Sequence, residues 1–100
     1  MERGGYVYII TNKARNVIYI GVTSQLRERI YEHKNHIYKN SFSHRYNLEY
    51  IIYYETFFSI EEAIEREKQM KKFRREKKEA IINSINPNWI DLWNKIQEFW

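Results

Sequence analysis

Two short runs of β-branched and aromatic residues, Tyr6 to Ile10 and Val17 to Ile20, stand on either side of a polar stretch, Thr11 to Asn16. Residues of this kind favour strands, and a short polar connection returns the second strand antiparallel to the first. Because side chains alternate along a strand, Tyr6, Tyr8 and Ile10 share one face, and Val7 and Ile9 the other. Val17 and Tyr19 likewise share a face opposite Ile18 and Ile20. Tyr8 and Tyr19 can therefore stand side by side on one side of a sheet.

The remaining chain divides by helix and strand signals. After Gly21, Thr23 or Ser24 can cap a helix running to about Tyr38, with apolar positions Leu26, Ile30 and Ile37. Asn40 to His44 reads as a polar loop, and Leu48 to Phe58 as a third, well-buried strand. Ser59 with Glu62 three residues later forms a capping box. The helix behind it carries Ile60, Ala63, Ile64 and Met70 on one face, and Glu67 falls on that same face. A further helical stretch, Lys77 to Ile85, stops at Asn86-Pro87. In the tail, Asn88 to Trp100, the residues Trp89, Leu92 or Trp93, Ile96 and Trp100 recur at helical spacing, so an aromatic helix should dock on the domain.

One hundred residues allow one small domain, and at 43% hydrophobic and 17% aromatic they can build its core without covalent staples. Cysteine is absent. That excludes disulfides, thiolate zinc sites and a cysteine nucleophile, and it suits a reducing cytoplasm. No apolar segment follows Met1 as in a signal peptide, and no run approaches the roughly 20 apolar residues of a membrane helix. The expectation is a cytoplasmic protein with no membrane partner. Its net charge of +4 is concentrated: from Glu65 to Glu79 eight basic side chains face four acidic ones, which accounts for the whole excess. Such a stripe suits a polyanion, with Lys68, Lys71, Lys72, Arg74, Arg75 and Lys78 as the nucleic-acid-binding candidates. A solvated helix face laced with internal ion pairs would look the same.

Three features could carry chemistry. Glu67 puts a carboxylate on a core-facing stripe, which is costly unless a cation or strong donors meet it. An ion pair would satisfy it, and so would a hard divalent cation, which needs only one or two carboxylates beside water and phosphate oxygens. Arg29 and His33 lie one helical turn apart. The first offers a fork to phosphate, and the second can shuttle or donate a proton, although border residues of an amphipathic helix often occupy such places. Tyr8 and Tyr19 are phenols with an ordinary pKa near 10, able to act as bases only beside a cation or metal-bound water. Strand tyrosines are more commonly packing residues.

The order of these residues resembles a known family. Tyr6-Val7-Tyr8, ten residues, then Tyr19-Ile20-Gly21 looks like the two-part signature of the GIY-YIG nuclease superfamily, with Tyr6 in place of the first glycine of the name-giving triplet and Gly5 before it. Arg29 and His33 resemble that family's helix with its essential arginine. Ile64-Glu65-Arg66-Glu67-Lys68 resembles the helix presenting its metal-binding glutamate, matching Glu67, and Asn86 resembles the asparagine that closes the domain. The segment Asn86 to Leu92 is similar to the end of the small stand-alone bacterial members. More distantly, the chain resembles the corresponding domains of the excision-repair nuclease subunit and of homing endonucleases.

The resemblance implies an α+β fold, a small three-stranded antiparallel sheet flanked by helices, as a single domain over residues 1–100 with residues 88–100 as an aromatic C-terminal helix. It implies hydrolysis of a DNA phosphodiester with Mg²⁺ or Mn²⁺ held by Glu67. Tyr8 aided by Tyr19 would serve as general base, Arg29 would neutralise charge on the phosphate, His33 would orient or relay a proton, and Asn86 would complete the set. Lacking a separate DNA-reading domain, the chain is expected to be structure-selective or nonspecific, in repair or recombination, with RNA as a second substrate class. Two rivals stand beside this reading. One is a noncatalytic nucleic-acid-binding module on the same scaffold. The other is an interaction protein whose Trp89, Trp93 and Trp100 meet a partner or a second copy.

Overall fold

The two apolar runs form the expected hairpin. β1 (Gly5–Thr11) and β2 (Ile18–Thr23) pair antiparallel, with Tyr8 opposite Gly21 and Ile10 opposite Tyr19. Asn12 organises the connection. Its Oδ1 accepts from the backbone N–H groups of Asn16 (3.1 Å) and Val17 (3.3 Å), and its Nδ2 donates to Asn16 Oδ1 (2.7 Å), so the side chain reinforces the backbone turn that Arg15 N closes on Asn12 O (3.0 Å). The computed structural model describes residues 4–37 and 41–99. In it β3 (Tyr50–Phe57) lies antiparallel on the other side of β1, giving the order β2-β1-β3. β1 is central and buried at every position, which is why its alternation is apolar on both faces.

One face of the sheet carries Tyr6, Tyr8, Ile10 and Ile51 and is covered by Leu26 and Ile30 of α1 (Leu26–Lys34) and Ile96 of α5 (Trp93–Phe99). The opposite face carries Val7, Ile9, Ile20, Ile52 and Tyr53 and is covered by Ala63 and Met70 of α3 (Ile60–Lys71) and Ile82 of α4 (Arg75–Ile85). The fold is therefore α+β, helices on both sides of a three-stranded antiparallel sheet. A register shift between Ile9 and Ile10, which pair with Tyr53 and Ile51, leaves Ile52 as an extra residue. This bulge lets the consecutive residues Ile52 and Tyr53 both face α3 and α4, so that Tyr54 returns to the face of Tyr8.

Several boundaries differ from the sequence expectation for identifiable reasons. α1 ends at Lys34 rather than near Tyr38, a residue outside those described. His36 adopts a left-handed φ of 54°. The N–H of Ile37 bonds to Glu32 O (3.1 Å) and that of His36 to His33 O (3.2 Å), the paired closure of a Schellman motif. Ile37 thus leaves the apolar stripe and is exposed, and His33 takes the buried place. The stretch expected as the polar loop Asn40 to His44 contains a short helix, α2 (Phe42–Arg45), capped by Ser41, whose Oγ accepts from His44 N at 3.2 Å; Asn40 lies outside the described residues. β3 omits Leu48, whose N–H closes the turn after α2 on Ser43 O (2.8 Å), and Phe58, which is exposed. The capping box at Ser59 and Glu62 is present, and α4 starts two residues early, at Arg75.

The C-terminal segment has two parts. Trp89, with φ of 51°, is not helical and packs on the α3–α4 side, whereas Leu92 and Trp93 pack on the α1 side. Between them the chain runs along the outer edge of β3: Leu92 N donates to Ile51 O (2.8 Å), Ile51 N to Asp91 Oδ1 (3.1 Å), and Asn86 Nδ2 to Ile52 O (2.9 Å). An edge strand that would otherwise present unpaired backbone groups is thereby covered. Trp100 lies outside the described residues. None of the described helices is long and apolar enough to cross a membrane.

Candidate active site

The hairpin register decides where the tyrosines go. Gly21 lies opposite Tyr8, and a Cβ there would sit 2.3 Å from Tyr8 Cζ and 2.4 Å from its oxygen. The ring of Tyr8 lies across the bare glycine. Only glycine leaves that space. Tyr19, opposite Ile10, stands beside it on the same face. α1 lies over this face with Arg29 and His33 one turn apart, and α2 forms the far wall. The result is a cleft of about 260 Å³ lined by Tyr8, Tyr19, Arg29, His33, Ser41, Phe42 and Ser43.

Within the cleft the polar groups are connected. Tyr8 Oη and His33 Nε2 are 3.0 Å apart, His33 Nδ1 and Ser43 Oγ 2.9 Å, and Ser43 Oγ and Ser41 Oγ 3.0 Å. Phe42 stacks on Tyr19 at 5.9 Å between centroids. Arg29 Nε lies 3.4 Å from Glu32 Oε1 with its side chain 38% exposed, so its guanidinium borders solvent at the mouth. Burial first, and the neighbouring Arg29 cation second, push His33 down to about 4 against the opposing pull of Glu32. At neutral pH the imidazole is uncharged. It carries one ring proton and one lone pair, which suits proton relay better than anion binding.

Glu67 does not line this cleft. It sits on the border of the buried face of α3, with its side chain 14% exposed, and its Oε2 pairs with Lys71 Nζ at 2.9 Å. Lys71 Nζ in turn lies 5.8 Å from the centroid of the Tyr19 ring, so the pair reaches past the edge strand β2 toward the tyrosine side. Among the described residues no three His, Asp or Glu side chains gather as a metal cluster. The donor set at Glu67 nevertheless suits a hard divalent ion that takes one carboxylate and completes its shell with water and phosphate. Lys71 is half-exposed.

Asn86 lies elsewhere. It is buried on the outer edge of β3, where Nδ2 donates to Ile52 O and Ile90 O (both 2.9 Å) and Oδ1 accepts from Ile90 N (3.2 Å). Three of the four hydrogen bonds its side chain can make pin the C-terminal turn to β3, and the structure does not bring it to the cleft. The basic stripe divides as well. Lys68, Lys72 and Arg74 are exposed, with no ion-pair partner among the described residues. Lys71 turns to Glu67 and Tyr19, Arg75 is tied to Glu79 (2.7 Å) and Asn16 O (3.3 Å), and Lys78 is half-buried.

A family model of the GIY-YIG catalytic domain matches residues 4–80. The chain belongs to the GIY-YIG family. The match contains every cleft residue and Glu67, and stops before Asn86. No curated protein and no solved structure matches. Membership supports a nuclease-type function, one that in this family generally uses a divalent metal and acts on DNA. What the sequence did not reveal is the contribution of α2. Four helical residues show no periodicity, and the signal that could have found them is the cap-forming Ser41 ahead of Phe42-Ser43-His44.

Proposed function

We propose that this GIY-YIG protein is a divalent-metal-dependent endonuclease that hydrolyses DNA phosphodiester bonds, structure-selective or nonspecific, serving repair or recombination. The observation that carries the reading is the convergence of Tyr8, Tyr19, Arg29 and His33, from the three consecutive elements β1, β2 and α1, on one cleft. Tyr8, on the cleft floor, is the base that takes the proton of the attacking water, with Tyr19 beside it. His33, neutral and bonded to the Tyr8 oxygen, orients that phenol and relays its proton. Arg29 at the mouth binds the phosphate and offsets the charge that builds on it. A Mg²⁺ or Mn²⁺ held by Glu67 would polarise the phosphate and stabilise the leaving 3′ oxygen. Asn86 acts by holding the C-terminal turn on β3, and Lys68, Lys72 and Arg74 supply sequence-independent attraction to the backbone.

The test is cleavage of supercoiled, single-stranded and branched DNA in Mg²⁺, Mn²⁺ or chelator, with Glu67→Ala and Arg29→Ala alongside. Metal-dependent cutting that falls about 10²-fold or more in both variants is expected. Salt-sensitive binding without cleavage of any substrate, unchanged by Glu67→Ala, would replace this reading with a noncatalytic binding module.

A further inference from the structure

We propose that Phe42 and Tyr46, at the rim of the cleft, form a stacking platform for an unpaired base of the DNA strand whose phosphate lies in the cleft. The inference rests on the nuclease reading above and names the feature it selects: DNA that is single-stranded beside the point of cleavage.

The two rings stand out by their exposure and their contact. Phe42 is 46% and Tyr46 40% exposed, and their ring centroids are 4.6 Å apart with 45° between the planes. Phe42 also stacks on Tyr19, at 5.9 Å and 30°. Three rings therefore run outward from the cleft, Tyr19 and Phe42 lining it and Tyr46 beyond them. Phe42 and Tyr46 belong to the core on neither face of the sheet. Left half in water, they forgo part of the stabilisation that burial of large apolar side chains brings.

Their surroundings decide what covers them. α2 carries no acidic residue, and Arg45, next to Tyr46, is exposed. Arg29 borders the cleft, and Lys71 Nζ lies 5.8 Å from the centroid of the Tyr19 ring. Glu49, the first acidic residue after α2, is held by His36 Nε2 at 2.6 Å. Cations around a flat apolar surface draw a polyanion that itself carries flat apolar groups, and a nucleic acid is that polyanion. A protein partner would need a patch on the order of 800 Å² on this side, and two half-exposed rings offer a fraction of it.

The strand state follows from the same geometry. Because Phe42 lines the cleft, the base on the platform belongs to the nucleotide being cut or to its neighbour. Bases inside a duplex are stacked on one another and do not reach a ring at the rim. An unpaired base can be splayed out onto it, and any of the four will serve, since each has a flat face.

The test compares binding of the full chain to a labelled deoxythymidine oligomer and to an oligomer of abasic sites of the same length, which keeps the phosphates and lacks the bases. Both are measured in chelator, so that nothing is cut. One stacked base is worth about 5–150-fold in affinity, so the parent should prefer the deoxythymidine oligomer by about fivefold or more. Tyr46→Leu keeps apolar bulk against Phe42 but has no flat ring; it should lose about fivefold or more toward deoxythymidine and nothing toward the abasic oligomer, while Tyr46→Trp should bind both like the parent. The Tyr46 N–H closes α2 on Phe42 O at 3.2 Å whatever the side chain. A parent that binds both oligomers equally overturns the proposal, as does a Tyr46→Leu protein that binds both like the parent or weakens toward both alike. A concentration-dependent mass that Tyr46→Leu abolishes, with no preference for bases, would also overturn it and give the platform to a second copy. Should Tyr46→Leu fail to fold, photocrosslinking of an iododeoxyuridine oligomer to the parent decides: adducts on Phe42 or Tyr46 support the platform, and adducts confined to other residues refute it. Base-dependent binding without cleavage of any DNA sinks the nuclease reading and leaves the platform standing; cleavage without base-dependent binding does the reverse.

Discussion

Asn86 offers the sharpest separation of catalysis from architecture. Asn86→Ala deletes three hydrogen bonds, to Ile52 O, Ile90 O and Ile90 N. The three losses are unequal. Ile52 is fully buried, whereas Ile90 is 57% exposed, so water can replace the amide at Ile90 but not at Ile52. A buried acceptor left bare costs about 1–3 kcal/mol and each of the two resolvated bonds about 0.5–1 kcal/mol, which gives a destabilisation of about 2–5 kcal/mol. For a domain this size that lowers the melting temperature by on the order of 10–40 °C. Urea denaturation with a matched thermal melt checks the figure, and cleavage measured where both proteins are folded checks the role. Parent-like cleavage by the folded variant is expected. A variant that melts with the parent yet loses about 10²-fold in rate would refute the reasoning and return Asn86 to the chemistry.

Gly21→Ala forces a methyl to within 2.3 Å of the Tyr8 ring, which should cost about 1–3 kcal/mol and shift Tyr8 from His33; an unperturbed His33 imidazole NMR signal would contradict this. Because His33 is held down to about 4 when folded and takes a proton below its ordinary 6.5 when unfolded, its contribution to stability is complete above pH 6.5. That contribution is lost progressively as the pH falls toward 4. Urea titrations at several pH values should show a shallower acid slope in His33→Gln than in the parent, and identical slopes would exclude the effect. Combining Lys68→Ala, Lys72→Ala and Arg74→Ala should reduce the salt slope of DNA binding by about 2–3 while the melting temperature stays within a few degrees; a slope that does not change would remove these residues from the DNA path.

Much of this protein is legible in its sequence because the physics involved is local. Period-two apolar runs around Asn12 specify the hairpin, and with it the placing of Tyr8 beside Tyr19. A serine with a glutamate three residues on specifies where α3 begins, and helical spacing puts Glu67 at the border of a buried face. These follow from backbone geometry and nearest neighbours. The two-part tyrosine motif with Arg29 and Glu67 likewise pointed to the GIY-YIG family before any coordinates.

What the tertiary structure decided depends on contacts across the chain. Ile52 and Tyr53 face the same way only because a bulge forms where β3 meets β1, and that choice returns Tyr54 to the side of Tyr8. Nothing local distinguishes Asn86 as catalytic or structural. Its amide is spent because the C-terminal turn happens to lie along β3. Ser43 carries no signal beyond the cap-forming Ser41 ahead of it, since a four-residue helix has no periodicity, and it lines the cleft only because α2 is seated against His33 from 10 residues away. Lys71, paired with Glu67, reaches Tyr19 around the edge of β2 from a helix on the opposite face, and no spacing in the sequence encodes the width of a sheet.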